Sequence, residues 1–328
     1  FCNPPRDPYD RPQIDVIAIG DSFTWCVVLN PQATWISQIG EISGHTVYNL
    51  GRGGIGPYDY LQILKHFGLP KQPEYVIMNI YEGNDLRDSI RYAEHISAAQ
   101  QGRILYTDAS DRNIRDIDID SLIDYPVMRD SYAVNLILAA ADKGYEGVKN
   151  AVLRLTGGDA PQRVNFRYRL KFPGKSVDFN IQNADESEVR SALGLKNGDI
   201  DFSAFEGALS GFVALAREYK FIPVVAYSPS AYTAYADFVE FEDASLGELM
   251  PWFSRTQREF LRTKARELGY RFVDLTPVMQ AAANDFQEKE LIYHPINVHF
   301  TVVGNRIVGE TLADAISTQQ SGSPAIRE

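Results

Sequence analysis

The stretch Ile14 to Gly20 (IDVIAIG) is a near-continuous apolar run ending in glycine. A strand covered on both faces reads this way, because neither face meets water. The signature returns at Thr46 to Leu50 (TVYNL), Tyr75 to Tyr81 (YVIMNIY), Phe221 to Tyr227 (FIPVVAY) and Arg271 to Leu275 (RFVDL). Helical spacing appears at Ala33 to Ile42, Tyr58 to Phe67, Phe205 to Tyr219, Pro251 to Leu268 and about Val302 to Ile316. Strands alternating with helices predict βαβ crossovers and a parallel sheet. The predicted fold class is α/β: a three-layer α/β/α domain around a five-stranded, parallel, flavodoxin-like sheet, with a large insertion after the third strand.

The alternation stops between about Arg87 and Ala204, where the chain is polar and rich in turn residues. A structureless loop of that length is uncommon in a compact domain. The stretch therefore predicts a lid or subdomain over the C-terminal edge of the sheet, where doubly wound folds bind ligands. The expected organisation is an N-terminal extension at 1–12, a core at 13–87 and 205–316, an inserted lid or subdomain at 88–204, and a flexible tail at 317–328.

Charge and composition bound the function. Asp and Glu number 43 against 32 Lys and Arg, a net charge of −11 over 328 residues. That balance speaks against a nucleic-acid partner, whose binding depends on neutralising phosphates. Two cysteines exclude a disulfide scaffold and a Cys-rich zinc site. A Cys2–Cys26 bridge and two free thiols both remain open. No apolar run approaches the roughly 18 residues of a membrane span. The chain opens Phe1-Cys2-Asn3-Pro4-Pro5 and carries Pro8 and Pro12 before the first strand. This reads as a trimmed N-terminus from which a signal peptide or membrane anchor could have been removed. The expectation is an extracytoplasmic or membrane-anchored protein, with any anchor in the missing segment. Phe1 is too bulky for the small residue expected before a lipidated cysteine.

Four segments carry chemistry. Gly20-Asp21-Ser22-Phe23-Thr24 follows the first strand, and a serine at a strand-to-helix turn exposes its hydroxyl at the sheet edge. The helix after it would offer backbone N–H groups to a developing negative charge; the plain alternative is a helix N-cap. Asn49-Leu50-Gly51-Arg52-Gly53-Gly54-Ile55-Gly56 follows the second strand, and its glycines allow close backbone approach to a ligand. Gly51, Gly53 and Gly56 satisfy G-x-G-x-x-G. Yet the loop follows the second strand, not the first, and no acidic residue ends the third strand at the expected place, so a dinucleotide site is disfavoured. Gly83-Asn84-Asp85 follows the third strand; its asparagine could complete an oxyanion hole or simply form a turn. His299 precedes the last helix, with Thr301 as the N-cap, and so lies in a loop at the sheet edge. His294 is close enough in sequence to contact it or the substrate. His45, His66 and His95 have no motif around them and read as surface residues.

Together the blocks GDSFTWC, NLGRGGIG, IYEGNDL and NVHFTVVGNRIVGE resemble the GDSL/SGNH hydrolase family. All four occur in family order, each beside its expected strand or helix, and they span roughly 13–87 and 205–316. The resemblance implies that Ser22 is the nucleophile and His299 its general base. It assigns the oxyanion hole to the backbone N–H of Ser22, the N–H of Gly54 and the side chain of Asn84. This agrees with what a serine nucleophile needs: an adjacent base and preorganised donors. One block departs from the family. An aspartate is usual two or three residues before the histidine, and here Asn297 and Ile296 stand there. An amide supplies no charge to the imidazolium; in chymotrypsin the corresponding change costs about 10⁴ in kcat. Three explanations stay open: a Ser–His dyad with an amide or backbone partner, a substitution engineered to trap a ligand, or a domain that has lost most of its activity.

The acidic run Asp116-Ile117-Asp118-Ile119-Asp120 fails the EF-hand pattern, since Ser121 replaces the turn glycine and Val127 the bidentate glutamate. Its alternation predicts a half-exposed strand. Gln162 to Lys175 interleaves Arg163, Arg167, Arg169, Lys171 and Lys175 with Phe166, Tyr168 and Phe172. It suits an anionic sugar polymer or a phosphorylated head group, though a strand with a solvated basic face explains it better. Arg52, two residues before Gly54, is placed to reach an anionic group on a substrate. Ser228 and Tyr232, after the fourth strand, are candidates to line the pocket. The reading is a serine-dependent acyl-ester hydrolase or acyltransferase on a small-molecule or glycan ester, with a carbohydrate O-acetyl group first. The alternative is a weakened SGNH-like polysaccharide-binding module. No metal or organic cofactor is implied.

Overall fold

The computed structural model describes residues 1–4, 11–27, 29–100, 104–106, 115–117, 167–179, 186–286 and 290–317. Two compact units divide the chain, 1–93 with 165–328, and 94–164. The stretch expected as one insert, 88–204, is thus shared between them.

The first unit is built on a five-stranded sheet. Its strands are β1 (Val16–Ile19), β2 (Val47–Asn49), β3 (Tyr75–Tyr81), β8 (Ile222–Ser228) and β10 (Arg271–Asp274). They lie in the order β2-β1-β3-β8-β10, all parallel. This is the flavodoxin-like order, which reverses direction between β1 and β3 and opens a crevice at their C-terminal ends. β1 and β3 are buried along their whole length. That burial is why both read as unbroken apolar runs.

Helices α1 (Trp35–Ser43), α2 (Pro57–Ile63), α5 (Ser203–Tyr219), α7 (Leu246–Leu268) and α9 (Val302–Ser317) cover the two faces. α1 packs on α9, and α2 packs on α5, which meets α7. α7 begins a turn before Pro251, which therefore sits inside the helix and not at its start. Three further helices have no clear signal in the sequence: α4 (Glu186–Asn197), the short α6 (Ala231–Ala234) and α8 (Thr276–Phe286).

A second, antiparallel sheet joins β6 (Tyr168–Phe172), β7 (Lys175–Phe179) and β9 (Val239–Phe241). Tyr168, Leu170 and Phe172 point inward, while Arg169 pairs with Asp178 at 2.6 Å and Lys171 with Glu240. In 167–175 the basic residues are thus a solvated face with cross-strand ion pairs; residues 162–166 lie outside the described residues.

α3 (Asp85–Gln100) follows β3. In the second unit β4 (Ile104–Tyr106) pairs antiparallel with β5 (Arg115–Ile117). The acidic alternation thus begins in a strand; residues 118–124 lie outside the described residues.

Candidate active site

Ser22 opens a run of turns, 22–27, and the next α-helix starts only at Trp35. The sequence had placed this serine at a helix start. A helix fails to propagate because side chains take the carbonyls it would need. Trp35 Nε1 donates to the Phe23 carbonyl at 3.1 Å and Asn49 Nδ2 to the Thr24 carbonyl at 2.8 Å. Asp21 holds the turn from below, its Oδ1 accepting the Phe23 N–H at 2.8 Å. A Cβ at Gly20 would collide with Thr24 Oγ1, and one at Gly51 would lie 2.6 Å from the Trp25 nitrogen. The glycine loop therefore packs directly on the serine turn. Cys2 and Cys26 form a disulfide, Cα–Cα 5.9 Å, which ties the N-terminal residues to this turn. Asn3 completes the clamp by bonding both the N–H and the carbonyl of Asn49.

His299 Nε2 lies 2.8 Å from Ser22 Oγ. The loop that delivers the imidazole is closed on itself: His294 N–H donates to the His299 carbonyl at 2.8 Å and Val298 N–H to the His294 carbonyl at 2.9 Å. Val298 adopts φ +53°, a left-handed conformation that a β-branched residue takes only when its surroundings impose it. Phe23 stacks on the imidazole with centroids 4.8 Å apart. Asn297 Oδ1 accepts the His299 main-chain N–H at 3.2 Å. The Asn297 amide thus braces the loop through the main chain. Nδ1 of His299 is buried and has no hydrogen-bond partner among the described residues. Burial pushes the His299 pKa down, the nearby His294 adds to that, and the Asn297 backbone carbonyl works against both.

Gly54 has φ +76° and open space where a Cβ would stand, so its requirement is conformational. Asn84 Nδ2 donates to Asp88 Oδ2 at 2.7 Å, which fixes the amide plane and leaves its second N–H uncommitted. Asp88 joins the blocks: a Cβ at Gly56 would be 2.6 Å from Asp88 Cβ, and Asp88 raises the Asp21 pKa by its charge. Asp21 itself, fully buried with Oδ2 3.5 Å from Ser22 Oγ, is pushed up to about 7, chiefly by burial. Asp85 beside it is raised as well, by burial and by Asp21.

The other candidates divide. Arg52 is exposed on the glycine loop, its main-chain N–H held by the Gly20 carbonyl at 3.0 Å. Ser228, expected to line the pocket, is fully buried and donates to Asn79 Oδ1 at 2.7 Å. It belongs to a network under the site, in which Asn79 Nδ2 donates to Thr24 Oγ1 at 3.2 Å. Tyr232 is likewise buried. Asn79 and Glu82 escaped sequence reasoning, although a polar side chain inside or ending an apolar strand is the signal that marks them. Among the described residues no group of three or more His, Cys, Asp or Glu could hold a metal ion. No described helix is long and apolar enough to cross a membrane.

No family model and no curated protein matches the chain. Solved structures do. A protein of the G-D-S-L family from Desulfitobacterium hafniense aligns at 15% identity and TM-score 0.45, over 92% of this chain and 98% of its own. An acetylxylan esterase variant from Geobacillus stearothermophilus aligns at 11% and 0.43, over 98% and 100%. A carbohydrate esterase family 2 enzyme with a carbohydrate-binding domain, from Corynascus thermopiles, aligns at 12% and 0.45, over 97% and 69%. At these values the likeness carries no inference about the reaction.

Proposed function

We propose that the chain is a GDSL/SGNH-type serine hydrolase that cleaves or transfers acyl esters through a Ser22–His299 dyad. The 2.8 Å contact between His299 Nε2 and Ser22 Oγ carries this reading. Ser22 Oγ attacks the ester carbonyl while His299 Nε2 takes its proton. The N–H groups of Ser22 and Gly54 and the free N–H of Asn84 hold the oxyanion. His299 then returns the proton to the leaving alkoxide as the carbon–oxygen bond breaks, which leaves an acyl group on Ser22. Water or a second hydroxyl, deprotonated by the same imidazole, releases it. Hydrolysis and transfer differ only in that acceptor.

In place of an aspartate, the Asn297 backbone favours the protonated ring. A carbohydrate O-acetyl ester is the substrate class we favour. The Cys2–Cys26 bridge suits an oxidising, extracytoplasmic setting. The unpartnered Nδ1 favours a second reading, a weakened domain that binds polysaccharide. Fluorophosphonate labelling and p-nitrophenyl acetate turnover decide between them. Labelling of the wild type that disappears in Ser22→Ala is the expected result. A folded wild type that neither labels nor turns over supports the binding module, and labelling that persists in Ser22→Ala excludes Ser22.

A further inference from the structure

Trp25 is 43% exposed, three residues after Ser22. Burying an indole is among the more favourable steps in folding, so an exposed one beside a reactive serine asks for a reason. Its position is fixed on three sides. The Trp25 N–H donates to the Asp21 carbonyl at 3.0 Å, the bridge at Cys26 holds the next residue, and the glycine loop backs the ring. A Cβ at Gly53 would lie 3.6 Å from Trp25 Cε3 and equally 3.6 Å from Ser22 Cβ. Ser22 and the indole therefore both border Gly53, whose lack of a side chain leaves that space open.

Arg52 is the residue before Gly53. Its guanidinium donates no hydrogen bond and makes no ion pair with any described residue. Its charge acts on Asp59, whose pKa burial raises and the Gly56 N–H and Arg52 partly offset. Nearby, Arg87 and Arg91 bind Asp88 at 3.2 and 3.5 Å. In a chain of net charge −11, an exposed guanidinium on the residue before the glycine that borders Ser22 favours negative charge on a ligand.

We propose that Trp25 and Arg52 form the specificity rim of Ser22, and that the preferred substrate is an acyl ester of an anionic saccharide. The indole stacks on the apolar face of a pyranose ring. The guanidinium pairs with a carboxylate or sulfate on that ring or its neighbour. The inference rests on Ser22 being the acyl-transfer nucleophile, and its test is independent of turnover.

Binding to Ser22→Ala, measured by calorimetry, compares three probes: an acetylated oligouronate, an acetylated sulfated oligosaccharide and a neutral acetylated xylo-oligosaccharide. At least one anionic probe is expected to bind about tenfold tighter than the neutral one, and the advantage is expected to shrink as salt rises. Adding Arg52→Gln should remove that advantage. Adding Trp25→Ala should weaken all three probes by up to about tenfold, with partial rescue by Trp25→Phe. Equal affinity for neutral and anionic probes, or an unchanged anionic preference in Arg52→Gln, overturns the charge assignment. Unchanged affinity in a folded Trp25→Ala variant overturns the platform. Fluorophosphonate labelling of the wild type keeps the two readings apart. Selective binding without labelling removes the nucleophile, and labelling without selective binding removes the rim.

Discussion

In the proposed dyad His299 is a base made weaker by its surroundings, since burial and His294 both disfavour its cation. The neutral ring is the working form, so activity is lost as pH falls through the lowered pKa. The acid limb of kcat/KM is therefore expected below the ordinary histidine value of 6.5. Asn297→Asp puts a carboxylate beside the ring, raises its pKa and shifts that limb upward. The kcat gain should be about tenfold, not the much larger factor of a full triad, because residue 297 faces the main-chain N–H and not Nδ1. An unchanged pH–rate profile in the folded variant would show that the side chain at 297 is electrostatically silent. Asp21 supplies a second test. Its folded pKa is raised from 3.8 to about 7, so the folded state keeps a proton that the unfolded chain releases. Stability from this group should then fall as pH rises from about 4 to about 7. Asp21→Asn should flatten that slope in denaturant midpoints taken across the range; an equally steep slope in the variant would rule Asp21 out as its source.

The elements at the β3–β8 edge are joined by two buried acids, Glu82 and Glu188. Glu82 accepts from Thr233 Oγ1 at 2.7 Å, Ser254 Oγ at 3.1 Å and the Ser230 N–H at 3.3 Å. Its pKa is raised, chiefly by burial. Glu188 accepts from the Tyr81 hydroxyl at 3.1 Å and Ser230 Oγ at 3.2 Å. Tyr81 stacks on Phe23, which stacks on His299, so this network supports the imidazole through two rings. Glu82→Leu leaves three donors buried and unpaired and should cost several kcal/mol, at about 1–3 for each group left unsatisfied. Glu82→Gln keeps an acceptor and should cost less. It should also lose the fall in stability that a raised carboxyl produces as pH climbs above 4.5. Equal midpoints for Leu and Gln would mean the hydrogen bonds contribute nothing.

For the whole first unit, the Cys2–Cys26 bridge is a constraint on the unfolded chain as much as a contact in the folded one. It closes a loop of sequence separation 24, for which chain-entropy arguments give about 3 kcal/mol. Cys2→Ser should lower the melting temperature accordingly. It should also reduce kcat, since the bridge and Asn3 together hold the turn bearing Ser22 against the glycine loop. A Cys2→Ser protein with wild-type melting and turnover would show that the clamp is idle.

Five apolar runs alternating with helical spacing determined the parallel sheet, because a strand covered on both faces must be apolar along its length. Three of the four motif blocks, those holding Ser22, Gly54 and Asn84, follow strands, and the fourth precedes the last helix at His299. Chain order therefore told which loops share the sheet edge. What the sequence could not decide depended on partners distant in the chain. Ser228 looked like a pocket residue until Asn79, 149 positions away, took its hydroxyl. The serine turn looked like a helix start until Trp35 and Asn49 took its carbonyls. Asn297 stands where the resemblance expects an acid, but its side chain is aimed at the main chain of its own loop. Periodicity records which face of an element is buried. Which polar atom meets which is settled only when separate elements pack, because hydrogen bonds depend on distance and direction that no local pattern encodes.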